Sequence, residues 1–542
     1  MASTERINLE LDSNVIRGET PSFVLEPKGL GYALFECMSR NRHLIAQIDP
    51  ISGVKDTYEH LLGRCVGAAL KMRSIGIRPK DVITTCTLNH LNSCVPVIAA
   101  IFLGAIPACL DPRLGRSEMT HHIKLAKPKI AFVDQGSIEL VEETCAEAGV
   151  DVQIVTFAES DRYTEFGEFV TERDDEFHPY EVGDGRETAS ILFSSGTTGL
   201  PKGICLSHQS LLGQGNLLIS RGICFQTTLT YSTYHWLSAT FALVSAVLTG
   251  GCRVVTSLFT PRTFWTILER YSITNVLFTP VHAMELLRNG RPEAVNTSQL
   301  RDVIIGGDIL SSHPLEELRA MFPGTNCNLS YGQTELSGLI VNFNRLDRRE
   351  MALMRSKPGS SGLLVPGFSC KIVEPSTGAT LGPNQTGELC FKGDFVMNGY
   401  YNSDSSDRWD ADGWLRTGDL GYYDEDFCFF IVDRIKETFK VKSFHISPSF
   451  IEGVLLTHPA ISLAAVVGLP DEENGNAPLA VVCLKEGSHA VGEEDVVKYV
   501  AERMHDKYAL RGGVKFVDTL PLTTTGKIKK YHLRELIISG KL

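Results

Sequence analysis

The sequence has no long uninterrupted apolar run. Its most hydrophobic stretch, residues 94–110, is about seventeen residues long, at the bottom of the spanning range, and contains Pro96 and Pro107. It reads as a buried helix and strand, so no integral membrane segment is expected. A secretory signal pattern is also missing: Glu5, Arg6, Glu10 and Asp12 crowd the N-terminus and no apolar core follows. The 14 cysteines stand singly, without a Cys-x-x-Cys pair. They are expected to be reduced and mostly buried, and the sequons at Asn296, Asn328 and Asn384 to be chance matches. Basic residues are not in excess. A net charge of -12 disfavours a general nucleic-acid or anionic-membrane binder and leaves room for a local basic pocket. No internal repeat or low-complexity segment stands out.

What is present is an ordinary globular composition, 43% hydrophobic and 21% charged, spread over 542 residues, which is too long for one core. The most informative stretch is Ser194-Ser195-Gly196-Thr197-Thr198-Gly199-Leu200-Pro201-Lys202-Gly203. It follows the apolar run Ile191-Leu192-Phe193 and precedes a helical pattern from about His208. Glycines let backbone N–H groups converge on anionic oxygens, hydroxyls add donors and the lysine adds charge. A strand, such a loop and then a helix is a way to hold a polyphosphate. The spacing is not G-x-x-x-x-G-K-[ST], because Pro201 and Gly203 flank the lysine.

The first half alternates helical and strand patterns. Thr57 is a candidate cap for a helix whose apolar positions Leu61, Leu62, Cys65, Val66, Ala69 and Leu70 share a face, and Ser137 for the helix over residues 138–148. Strands are expected over 82–86, 129–133, 274–278 and 302–305, and helices over 118–126, 262–270 and 313–321. This alternation argues for a large α/β N-terminal domain with largely parallel sheets. From 359 to 431 turn residues become dense and a small β-rich subdomain is expected. After Asp433-Arg434-Ile435-Lys436 a compact α+β unit begins, so the expected division is 1–432, a hinge at 433–437 and a small C-terminal domain over 438–542.

Four further segments gain meaning in combination: Tyr331-Gly332-Gln333-Thr334-Glu335, Thr417-Gly418-Asp419-Leu420-Gly421, Asp433-Arg434, and Thr523-Thr524-Thr525-Gly526-Lys527-Ile528. In this order and spacing, over nearly the whole chain, they resemble the adenylate-forming family of acyl-CoA synthetases, beetle luciferases and peptide-synthetase adenylation domains. Ile431-Val432-Asp433-Arg434 and Leu510-Arg511-Gly512-Gly513-Val514 are similar to the luciferase and acyl-CoA synthetase branch in particular.

The resemblance implies an acid–thiol ligase acting in two steps: a carboxylate and ATP give an acyl-adenylate and pyrophosphate, and a thiol, usually coenzyme A, then displaces AMP. Ser194, Ser195, Gly196, Thr197, Thr198, Gly199 and Lys202 would wrap the β- and γ-phosphates. Tyr331 and Gly332 would line the adenine, Thr334 would reach the α-phosphate, and Glu335, with Thr198 nearby, would hold Mg²⁺. Asp419 and Arg434 would bind the ribose, and Gly306, Gly307 and Asp308 would line the carboxylate and AMP. Lys527 would bridge the attacking carboxylate and the α-phosphate. His235 matches a histidine close to the acyl group, and Lys440 belongs to a lysine pair near the coenzyme A tunnel.

The chain also departs from the family pattern. Trp236, Leu237 and Ser238 stand where luciferases carry a second histidine, a glycine and an aromatic, and Gln214 stands at the luciferin-pocket arginine, which counts against light emission. The aspartate that holds an amino acid's α-amino group is missing near His235, which counts against amino-acid substrates. Val276, Phe278 and Leu339 suit an aliphatic tail, so the expected acid is a medium- or long-chain fatty acid. Ser443, Phe450 and Asn476 replace a customary glycine and two glutamates on the thioester-forming face. An adenylating enzyme with another acceptor, a luciferase-like activity, and a non-catalytic acyl or nucleotide binder therefore stay open. Gly540-Lys541-Leu542 is similar to the peroxisomal address S-K-L, which would make an import receptor a partner, with the cytosol as the alternative location.

Overall fold

The computed structural model describes residues 9–542 apart from 172, 173, 175, 195–200, 257, 258, 443, 486, 489, 490 and 524–526. Two parallel sheets dominate the first 330 residues. One runs in the order Ile106–Pro107, Val82–Cys86, Ile130–Val133, Gln153–Thr156, Thr164–Glu165, all parallel. The other runs in the order Asn326–Leu329, Asp302–Ile305, Asn275–Phe278, Thr227–Thr230, Cys252–Val255, Ile45–Ile48, Lys55–Thr57, parallel except for the last pair. Strands such as Val82–Cys86 and Ile130–Val133 are buried at every residue, as a sheet covered on both faces requires.

The helix Tyr58–Ser74 starts where its sequence says it should: Thr57 Oγ1 accepts the His60 N–H at 3.3 Å. Ser137 does not cap its helix. A 3₁₀ turn, Gln135–Ser137, runs into Ile138–Ala148, and the Ser137 side chain makes no cap bond. Residues 94–110 form the helix Val95–Phe102 and the strand Ile106–Pro107, both fully buried. Among the described residues no helix is long and apolar enough to cross a membrane.

The β-rich region is an antiparallel sheet in the order Leu9–Asp12, Val15–Gly18, Phe368–Val373, Gly387–Gly393, Leu415–Tyr423, Phe429–Arg434. The sequence pattern missed its edge, the N-terminal hairpin, because Ile16 pairs with Cys370 across some 350 residues of chain and no local period records that. Beyond it, Pro448–Leu455, Glu493–Ala501 and Lys530–Ile538 pack on the sheet Ile461–Asp471, Gly475–Leu484, Gly513–Phe516. The two hydrophobic clusters there draw only on residues from 439 onward. No disulfide forms; Cys37, Cys224 and Cys252 are half-buried and the other cysteines are buried.

Candidate active site

The phosphate-loop sequence is not a strand–loop–helix unit. Thr188–Phe193 and Gly203–Ser207 pair antiparallel as a hairpin, and the helix His208–Ser220 starts one strand later, capped by Ser207. Ser195, Gly196, Thr197, Thr198 and Gly199 lie outside the described residues. The hairpin foot is well defined. The Ser194 N–H donates to the Lys202 carbonyl at 2.9 Å, and the Lys202 N–H to Ser194 Oγ at 2.9 Å. The Lys202 ammonium sits over the Tyr400 ring, 4.4 Å from its centroid.

Two histidines, absent from the sequence reading, flank that foot from the helix Arg116–Ala126. His121 Nε2–H donates to the Pro201 carbonyl at 2.7 Å, and His122 stacks on Phe193 at 4.0 Å. Neither ring nitrogen of His122 has a protein partner, and burial pushes its pKa down to about 3, so the ring is neutral.

Asp419 is the best-held carboxylate of the site. It lies opposite Arg434 in the register of the last two strands of the antiparallel sheet, and Arg434 Nε approaches its Oδ1 at 3.3 Å. The Tyr331 hydroxyl donates to Asp419 Oδ2 at 2.8 Å, and Gln333 Nε2 donates to the same oxygen. Tyr331 is buried, with its hydroxyl spent on Asp419 and its ring 6.0 Å from Phe391. Burial first, then the Asp419 charge, drives its pKa well above the ordinary tyrosine value. Gln333 shares a face with Tyr331 along the strand Tyr331–Gln333; that alternation was the available signal for its role.

Thr334 and Glu335 sit in the 3₁₀ turn Thr334–Leu336, directly after that strand. The turn is possible because a Cβ on Gly332 would stand 1.8 Å from the Gly338 carbonyl oxygen. Both side chains are half-buried, and the Tyr400 hydroxyl stands 3.5 Å from Glu335 Oε1. Gly306, Gly307 and Asp308 follow the strand Asp302–Ile305. The Gly306 N–H donates to the Phe278 carbonyl at 3.1 Å, Gly307 adopts φ 93°, and Asp308 Oδ1 accepts the Ile309 N–H at 2.9 Å.

Lys527 reaches this group from the C-terminal unit. Its N–H donates to Thr523 Oγ1 at 3.0 Å and its carbonyl accepts the Thr523 N–H at 2.7 Å, which closes the loop that presents it. Burial lowers its pKa below the ordinary lysine value; Asp308 and Asp419 act to raise it and Arg434 to lower it. The structure thus assembles Asp308, Asp419, Arg434 and Lys527 into one electrostatic cluster. Three residues further on, Lys530 bonds Glu452 at 3.0 Å and Glu437 at 3.3 Å, a link the sequence did not announce.

Lys440 does not join that cluster. It is exposed on the two-stranded ribbon Phe439–Val441 with Phe444–Ile446, and its carbonyl accepts from Asn476 Nδ2 at 2.8 Å. Ser443 lies outside the described residues, while Phe450 is half exposed, 6.4 Å from the Tyr508 ring.

His235 is buried, and its Nδ1–H donates to the Cys109 carbonyl at 3.1 Å. Burial lowers its pKa, partly offset by Asp111. On the acid side, Phe278, Phe259 and His282 form an aromatic group with Tyr231, and Gln214 packs so closely on Gly338 that a Cβ there would stand 2.0 Å from its Cδ. Gln214 Oε1, Tyr231 Oη, Thr233 Oγ1 and Ser337 Oγ are buried there without a protein partner.

An anchored carboxylate–guanidinium pair, a hairpin foot whose lysine lies over Tyr400, and a second lysine presented from the C-terminal segment suit the adenylate-forming resemblance. The comparisons agree. The family model described as "AMP-binding enzyme" matches residues 35–401, and "AMP-binding enzyme C-terminal domain" matches residues 451–527. The chain belongs to the AMP-binding enzymes, on the branch that holds luciferases and 4-coumarate–CoA ligases. It is 31% identical to the luciferin 4-monooxygenase of Photuris pensylvanica over 98% of this chain and 99% of that one. It is 30% identical to 4-coumarate–CoA ligase 3 of Oryza sativa subsp. japonica over 91% and 89%. Among solved structures, the luciferase-like enzyme of the nonluminescent mealworm Zophobas morio matches at TM-score 0.74 and 33% identity, over 78% of this chain and 99% of that one. ATP-bound MatB from Rhodopseudomonas palustris matches at TM-score 0.82 and 24% identity, over 93% and 98%, a likeness of fold.

Proposed function

We propose that this protein is an AMP-forming acid–CoA ligase. A carboxylate oxygen of the acid attacks the α-phosphorus of ATP, the bond to the β-phosphate bridging oxygen breaks, and pyrophosphate leaves. The thiol sulfur of coenzyme A then attacks the acyl carbon, the acyl–phosphate bond breaks, AMP departs and the thiol proton is released. The observation that carries the first step is the half-buried Lys527 held beside Asp308, Asp419 and Arg434. A fixed cation there draws two anions together and offsets charge building on the phosphoryl oxygens.

Mg²⁺ fits the residues present. Glu335 offers one half-buried carboxylate, with the Tyr400 hydroxyl 3.5 Å from its Oε1. That suits Mg²⁺ shared with phosphate oxygens and water. When bound, it would neutralise phosphate charge; Glu335 would orient it.

For the acid, a medium- or long-chain fatty acid is the first reading, although Val276 and Phe278 are buried in one apolar cluster and Leu339 in another, so the three do not form a single wall. An aromatic acid is the second reading, favoured by the perpendicular rings of Phe259 against Tyr231 and Phe278, at 5.0 and 5.8 Å. Turnover with Mg-ATP and a panel of fatty and aromatic acids, with and without coenzyme A, separates these. Acyl-CoA from either class supports the ligase reading. Acyl-adenylate without thioester redirects it to another acceptor or a luciferase-like reaction, and ATP binding without pyrophosphate reduces it to a binding protein. The peroxisomal address read in Gly540-Lys541-Leu542 belongs to the same proposal. Removing those three residues from a fluorescent fusion should move it to the cytosol; unchanged distribution sinks the address.

A further inference from the structure

Lys202 and Glu335 sit on separate elements. Lys202 is at the foot of the hairpin strand Gly203–Ser207, and Glu335 is in the turn Thr334–Leu336. Residues 397–401 touch both. The Met397 N–H donates to the Glu335 carbonyl at 2.9 Å, which ties the segment to the turn. On the hairpin side, the Asn398 N–H donates to the Cys205 carbonyl at 2.9 Å, the Cys205 N–H to the Gly399 carbonyl at 3.0 Å, and the Tyr401 N–H to the Gly203 carbonyl at 2.7 Å. Gly399 allows this path at φ 118°, a backbone that side chains rarely adopt.

With its backbone fixed on both sides, the segment has one side chain left to point between them. The Tyr400 ring lies against the Lys202 ammonium, 4.4 Å from centroid to Nζ, and the Tyr400 hydroxyl is 3.5 Å from Glu335 Oε1. The phenol is the donor in that contact, since a carboxylate only accepts. Asp407 and Arg408 act on the same phenol from the following turn, with opposite signs. Lys202 and Glu335 make no ion pair with each other among the described residues. A lysine and a glutamate at short range attract each other, and a paired ammonium is lost to phosphate as a paired carboxylate is lost to a cation. An aromatic ring with a hydroxyl edge satisfies the lysine on its face and the carboxylate at its rim, and leaves outer lobes of both groups open.

We propose that Tyr400 is a positioning residue that keeps Lys202 and Glu335 apart and aimed, so that a nucleotide polyphosphate and its divalent cation are engaged together. This rests on the adenylation reading. Tyr400→Phe keeps the ring beneath Lys202 and removes the hydroxyl; Tyr400→Leu removes both. The measurement is binding of ATP, without any acid, by calorimetry at graded Mg²⁺, with thermal unfolding as a check on the fold. Tyr400→Phe should raise the Mg²⁺ needed for half-maximal ATP binding by about fivefold, the scale of one long hydrogen bond to a charged group, and leave metal-free ATP binding unchanged. Tyr400→Leu should in addition weaken metal-free ATP binding by about threefold, the scale of one exposed cation–π contact. A folded Tyr400→Phe protein with the parent's Mg²⁺ dependence overturns the role of the hydroxyl and the proposal with it. A parent chain that binds no ATP at any Mg²⁺ overturns the adenylation reading, and this inference falls with it.

Discussion

The ribose end and the acid end of this site are built by opposite rules. At the ribose end, Asp419 accepts from Tyr331 and Gln333 through one oxygen and faces Arg434 through the other. At the acid end, Gln214, Tyr231, Thr233 and Ser337 each bury a polar atom with no protein partner. A buried polar atom without a partner costs roughly 1–3 kcal/mol, so each of these is expensive unless a ligand or water completes it. On the proposed reading the Asp419 carboxylate is held before a nucleotide arrives, although Gln333 Oε1 beside it is also buried without a partner, and the acid end carries more such atoms for a ligand or water to complete. One substrate is shared across a whole family and the other varies, and the two constructions match that difference.

The largest effect should come from the group that joins the two ends. Lys527→Ala should slow adenylation by at least about 10²-fold, while thioester formation from a supplied adenylate changes little. Separate assays of the half-reactions check this, and equal losses in both would dissolve the division between them. Next, Asp419→Ala should raise KM for ATP by about tenfold or more and leave KM for the acid near its parent value, because it removes the acceptor that orders the ribose end. Steady-state kinetics in both substrates read this; a matching rise for the acid would mean the ends are not independent.

A pH profile sharpens the same contrast. The protonated form of Lys527 is the active one, and its pKa lies below the ordinary lysine value, so adenylation should fall as pH rises through that lowered pKa. Lys527→Arg should flatten the alkaline limb. A limb that persists in this variant belongs to another group. The smallest effect is expected from Gln214→Leu. It removes a buried unpaired oxygen but also the Nε2 donor to the Leu339 carbonyl at 3.2 Å, so stability should change by no more than about 1 kcal/mol either way, while acid preference shifts by about tenfold towards apolar tails and KM for ATP stays put. Thermal unfolding with a two-acid competition assay measures both.

Much of the nucleotide end was legible because its residues fall in short contiguous strings with fixed order: Tyr331 to Glu335, Asp419, Arg434, Lys527. The parallel sheets were legible because short β-branched strands such as Val82–Cys86 alternate with one-sided helices. What stayed hidden depends on distant pairing. Tyr400 is one aromatic among fifteen tyrosines until the backbone ties residues 397–401 to both Glu335 and the hairpin. His121 and His122 look like surface helix residues until Pro201 and Phe193 close on them. The helix start at His208 was legible, but the strand Gly203–Ser207 between loop and helix went unread because five residues carry too little period to mark it.

Asp433 and Arg434 are neighbours in the chain with different allegiances. Asp433 Oδ2 accepts the Ser447 hydroxyl and, at 3.1 Å, the Ser449 N–H, holding the start of the helix Pro448–Leu455, while Arg434 faces Asp419. A single peptide bond therefore connects the C-terminal unit to the ribose anchor. On the proposed reading, swinging that unit away would pull on the guanidinium beside Asp419, and a departing nucleotide would free the unit to swing. Nucleotide exchange and movement of the C-terminal unit should then register as one kinetic phase with one rate constant.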